Sequence, residues 1–133
     1  MINNLKHANS YKELEVYIRS REVAKRILEL LTGFPREEKF SLTDQIRRSS
    51  RSIGAQIAES WGKRRYENHF ILKLTDADAE QYETQHWIEI SSENKHITDE
   101  EKKELINKCE EIGRMLNSMI YKSSLFCKKQ EKK

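Results

Sequence analysis

The sequence predicts an all-α fold, an antiparallel up-down-up-down four-helix bundle. Three observations lead there. The chain has one proline and four glycines in 133 residues, so long helices meet few breakers. Apolar residues recur three and four apart through four separate stretches, as they do on a helix with one buried face. Short segments at Gly33 to Phe40, Gly62 to Arg65 and Asn94 to Ile97 divide those stretches, and short connections make consecutive helices antiparallel neighbours. The chain is long enough to bury a core as one domain, residues 1–133, with the core over about 10–124 and a basic tail over 125–133.

The first helix is expected to begin near Ser10 and end at Thr32, with Gly33 as its C-cap and Pro35 barring continuation. Val16, Tyr17, Ser20, Val23, Ala24, Ile27, Leu28 and Leu31 share a broad inward face. The outward face, Glu15, Arg19, Glu22, Arg26 and Glu29, alternates charge three or four residues apart and keeps the helix soluble. Phe34 and Phe40 bracket the following loop and are placed to plug the end of the bundle.

The second segment, Phe40 to Arg65, organises the chain. Ser41 with Asp44 forms a capping pattern, so the helix starts where its apolar stripe starts. Leu42, Ile46, Ile53, Ile57 and Trp61 stack along one face that must be buried. Ser50, Gly54 and Ala58 lie four apart beside it, and mid-helix Gly54 costs roughly 1 kcal/mol relative to alanine, a cost that close packing of a neighbouring helix would offset. Arg47, Arg48 and Arg51 project within about a third of a turn of one another on the other side, and Lys63, Arg64 and Arg65 form a basic elbow at the end.

The third helix should run from about Tyr66 to Glu93. Phe70, Leu74, Ala77 and Ile88 mark one stripe, and Ile71, Ala79, Tyr82 and Ile90 a second beside it, an apolar sector wide enough to face both the bundle and a partner. Asp76, Glu80 and Glu83 give it an acidic face with Trp87 next in line. Ile71, Tyr82, Trp87 and Ile90 are therefore the candidate partner contacts. Thr98 with Glu101 is a second capping box. The fourth helix carries Leu105, Cys109, Ile112, Leu116 and Met119 in a seven-residue repeat that must pack lengthwise. Cys127 to Lys133 is expected to be a disordered basic end, with Cys127 exposed.

The net charge of +3 hides strong segregation. Residues 36–65 carry eight basic and four acidic side chains, residues 66–111 five and thirteen, so the middle of the chain is cationic and the next third anionic. Such a surface suits a polyanion, or the acidic third of another copy. No stretch approaches the ~18 apolar residues that span a bilayer and the start lacks an apolar secretory core, so a cytoplasmic protein without membrane contact is expected. Cys109 and Cys127 form no CxxC pair, which argues against a disulfide framework or zinc site.

Catalytic and metal chemistry find little support. Glu83 and His86 form one E-x-x-H pair where a di-iron bundle needs two, so no metal is expected. Ser49, Ser50, Ser52 and Ser60 lack an adjacent histidine and read as small spacers. No phosphate loop or dinucleotide fingerprint occurs, so neither a cofactor nor a small-molecule substrate is expected, and the chain reads as a non-enzyme.

Phe34-Pro35, then Leu42 to Ser50 (LTDQIRRSS) and Gln56 to Arg64 (QIAESWGKR), carry a resemblance. The chain resembles the bacterial four-helix-bundle family encoded within intervening sequences of 23S rRNA genes, often labelled ribosomal protein, which also takes in the accessory protein of diversity-generating retroelements. Leu42 to Arg48, Ser52, Ile53, Ala55, Ile57, Ala58 and Glu59 fit that pattern, as does Glu83-Thr84 on the third helix. Gly54, Gln56 and Ser60 depart from its proline, asparagine and glycine. The resemblance implies a homopentameric ring of bundles and, for the retroelement branch, a scaffold for nucleic acid and a reverse transcriptase. Together these readings point to a self-associating bundle that binds structured RNA or a nucleoprotein through Arg47, Arg48, Arg51, Lys63, Arg64 and Arg65. The alternative is a protein scaffold whose arginines face a neighbouring subunit.

Overall fold

The computed structural model describes residues 8–127 and contains, among them, four α-helices and no strand. α1 spans Glu15–Leu31, α2 Leu42–Gly62, α3 Glu67–Glu93 and α4 Asp99–Tyr121, with single 3-10 turns at Tyr11–Glu13, Arg36–Glu38 and Ser123–Leu125. α1 packs on α2, α2 on α3, α3 on α4, and α4 returns to α1. The expected four-helix bundle is present.

Its core follows from the seven-residue repeat. On α4 the buried set Leu105, Cys109, Ile112, Leu116 and Met119 is the expected one. On α3 Phe70, Leu74, Ala77, Gln81, Thr84, Ile88 and Ser91 are buried at alternating spacings of four and three. Polar side chains thus complete a seam that the apolar residues begin. Their hydrogen bonds are mostly within the helix, with one link outward: Thr84 donates to the Glu80 carbonyl at 2.8 Å and its hydroxyl lies 3.0 Å from that of Ser49 on α2. Gln81 donates to Asp78 and accepts from Gln85. Small-residue packing is equally plain at Gly54, where a Cβ would lie 3.1 Å from Ser20 Oγ and 3.6 Å from the Tyr17 ring, so α1 sits close over α2 there.

Several local expectations change. Ser10 caps the 3-10 turn rather than α1, because Leu14 is extended and drops its side chain into the core before α1 starts at Glu15. Gly33 has no positive φ; the end of α1 is closed by backbone turns from Gly33 to Leu30 and from Phe34 to Leu31. Ser41 does not cap α2. Its hydroxyl donates to Glu38 Oε1 at 2.9 Å instead. The Thr98–Glu101 capping box forms in both directions. Leu28, placed inward, is 46% exposed, and Phe40 is 86% exposed and plugs nothing. Trp61 is only partly buried at the edge of the core. The outward ion pairs of α1 reach further than one helix: Arg19 bridges to Glu111 at 2.8 Å and Arg26 to Glu104 at 3.2 Å on α4.

The tail begins later than expected. Phe126 is buried and stacks on Phe70 with ring centroids 5.6 Å apart, so the chain closes one end of the bundle before its basic terminus. Cys127 is half-buried, and burial first, then Glu67, pushes its thiol up against the opposing pull of Arg64. The expected disorder of residues 128–133 lies outside the described residues.

Candidate nucleic-acid interface

α2 places its arginines by the turn of the helix. With Ile46, Ile53 and Ile57 fixed inward, Arg48 and Arg51 project to solvent and Arg47 lies half-exposed at the side. Arg47 reaches Asp44 one turn back at 3.4 Å. Arg48 lies near α3, where its field acts on Glu80; burial raises the Glu80 carboxyl first, opposed by a hydrogen bond from Ser52 and by Arg48. These three guanidiniums share one surface.

The basic elbow does not join it. Lys63 follows Arg51 by twelve residues, about 18 Å along the axis, and Lys63 and Arg65 are exposed at the far end of α2. Arg64 is turned inward: its Nε donates to the Trp61 carbonyl at 2.8 Å and its guanidinium sits 3.6 Å from the Trp61 ring centroid. That stacking partly buries the guanidinium and lowers its pKa from the usual arginine range.

The cations that complete the α2 face come from α1. Arg21 and Lys25, four apart, rim a groove of about 790 Å³ between α1 and α2, with Arg51 on the other rim. Both are exposed. Their spacing from Tyr17 and Leu28 is readable in the sequence, but that α2 lines the same groove is visible only in the fold. Arg21 Nη1 also donates to the Tyr17 hydroxyl at 2.9 Å.

The candidate partner contacts separate. Tyr82 is 62% exposed; Ile71, Trp87 and Ile90 are partly buried. Trp87 Nε1 donates to Glu83 at 3.0 Å and its ring meets His86 edge-on, so the E-x-x-H pair is engaged by an indole. Among the described residues no group of three or more His, Cys, Asp or Glu is placed to hold a metal ion, and no helix is long and apolar enough to cross a membrane. Burial pushes the Cys109 thiol up to about 12, leaving it protonated at neutral pH.

The fold thus defines a class, the small all-α four-helix bundle. The chain matches the family described as 23S rRNA-intervening sequence protein over residues 12–118, and it belongs to that family. Among solved structures it is similar to a protein of unknown function from the S23 ribosomal protein family of Bacteroides thetaiotaomicron, at 37% identity and a TM-score of 0.71, covering 79% of this chain and 97% of that one. No curated protein matches.

Proposed function

We propose that this protein is a non-enzymatic, self-associating cytoplasmic bundle that holds structured RNA, alone or in a nucleoprotein, by its phosphates. The observation that carries the reading is the juxtaposition of Arg47, Arg48 and Arg51 on one exposed surface of a helix whose other side is locked in the core. Arginine suits the task because its planar fork matches phosphate oxygens. Family membership supports an RNA-linked role, and the ring of five copies implied by the resemblance would repeat the cationic face around an axis.

Such contacts release counterions. For three phosphate contacts, affinity should fall roughly fortyfold between about 50 and 200 mM salt. Arg47→Gln, Arg48→Gln and Arg51→Gln together should abolish most retention of a structured RNA on a filter while the helical circular dichroism stays unchanged. Equal retention by the triple variant would remove this surface from the reading. Assembly that depends on the three arginines with no RNA shift at low salt would favour the protein scaffold instead.

A further inference from the structure

We infer that the groove between α1 and α2 seats α3 of a second copy of this chain. The inference rests on the self-association reading above and names the two surfaces that meet. Ile18 and Leu28 flank the groove, 40% and 46% exposed, over a floor that includes Ala24, Gly54 and Ala58. Ile18 and Leu28 give the α1 wall exposed aliphatic surface, Arg51 and Ala55 form the α2 wall, and the small floor between them leaves a trough for a rod of helix whose α1 rim Arg21 and Lys25 make cationic.

The same chain carries a ridge of matching dimensions. On the outward face of α3, Leu72, Thr75, Ala79, Tyr82 and His86 are all exposed at spacings of three, four, three and four. Leu72 and Tyr82, 57% and 62% exposed, are the large residues. They stand ten residues apart, as do Ile18 and Leu28, which is about 15 Å along either helix. Thr75 and Ala79 between them are small enough to let the α3 backbone settle into the trough. Beside the ridge lie Asp76 and Glu83; the nearest cation to Asp76 is Lys73 at 3.9 Å, and Glu83 meets the indole of Trp87. Acids on the ridge face cations on the rim.

The exposed apolar surface of Ile18 and Leu28 on this groove is what a protein ridge can cover and a phosphate backbone cannot use. α3 lies diagonally across the bundle from α1, whose neighbours are α2 and α4, so one copy can fill a groove and offer its ridge at once. The contact is head-to-tail, and repeating it closes a ring or grows a chain.

Light scattering on the full chain across a concentration series tests this. Arg21→Glu with Lys25→Glu, and separately Asp76→Lys with Glu83→Lys, should each raise the concentration needed for assembly by about a hundredfold, through like charges opposed in the interface. Mixing the two variants should restore association between unlike chains, because the acidic ridge of one meets the cationic groove of the other and the two reversed surfaces attract in turn. Ala79→Arg, at the exposed centre of the ridge, should dissociate the assembly as well and decides the matter if a charge-reversed variant loses helical content. Reversed variants that assemble like the wild type, or a mixture that stays dissociated, would overturn the groove assignment and leave self-association standing. A wild-type chain that is monomeric throughout would overturn self-association itself. Arg51 borders the groove and Arg21 and Lys25 stand beside the RNA surface, so RNA retention is compared with Ala79→Arg, which leaves all of these cations in place.

Discussion

Two glycines on the helices of this bundle do opposite work. A Cβ on Gly113 would stand 2.9 Å from Gln81 Nε2 and 3.3 Å from Asp78 Oδ1, and Gln81 cannot retreat because it is buried and held by Asp78 and Gln85. Overpacking of about 1–3 kcal/mol then outweighs the roughly 1 kcal/mol that alanine gains in a helix, so Gly113→Ala should destabilise by about 1 kcal/mol in urea unfolding. Gly62 has no positive φ and nothing within 4 Å of the same added atom. Gly62→Ala should stabilise by about 0.4–1 kcal/mol, mainly by restricting the unfolded chain. If both substitutions shift stability in the same direction, the contact between Gly113 and Gln81 is not what sets the first. At this scale the sequence marks which positions are glycine, but the reason at Gly113 sits on another helix, thirty-two residues away along the chain.

Elements are joined at one end by a carboxylate. Glu38, in the α1–α2 connection, accepts from Ser41, and its Oε2 lies 3.0 Å from His96 Nε2 in the turn between α3 and α4. The His96 ring also leans on Phe34 at 5.2 Å. The hydrogen bond with His96 first, then that from Ser41, holds the Glu38 carboxyl below its ordinary range. A carboxylate lowered in the folded state contributes stability that is present above its unfolded pKa of roughly 4.3 and is lost as pH falls through the lower folded value. The melting temperature of the wild type should therefore exceed that of Glu38→Gln at neutral pH, and the gap should close in acid below about pH 4. A gap that stays constant down to pH 3 would mean that the Glu38 charge is not part of this joint. α4 and the Thr98 cap were legible because their residues announce themselves by type. The Glu38 joint was not, since a loop glutamate finds its histidine only once four helices have been placed.

For the whole molecule, the bundle class and the neighbour order followed from helix number and short connections, while the inward faces were legible only where they are oily. α4 met that condition, and α2 only in part, since Ser49, Ser50 and Ser60 are buried beside its isoleucines. On α3 the inner seam includes Gln81, Thr84 and Ser91, polar residues that hydropathy leaves out of the core, so the apolar pattern alone shows only part of its buried face. The closing of the bundle by Phe126 was hidden by the lysines that follow it. Because Phe126 covers Phe70 at the end of the core, Phe126→Ala should cost about 3 kcal/mol and lower the melting temperature by roughly 10 °C. An unchanged melt would show that the last turn merely rests on the bundle.

The hydroxyls of Ser49 and Thr84 meet where α2 and α3 are packed, with Gln81 one turn away. Sliding one rod past the other by a turn, or rolling it, would break the contact between the two hydroxyls and leave each only the carbonyl of its own helix, a loss of about 0.5–1.5 kcal/mol. The two rods are consequently keyed like a shaft in a slotted sleeve. Whatever docks on the outside of either one meets a handle pointing in a fixed compass direction, which is what lets a repeated contact accumulate a constant angle from copy to copy.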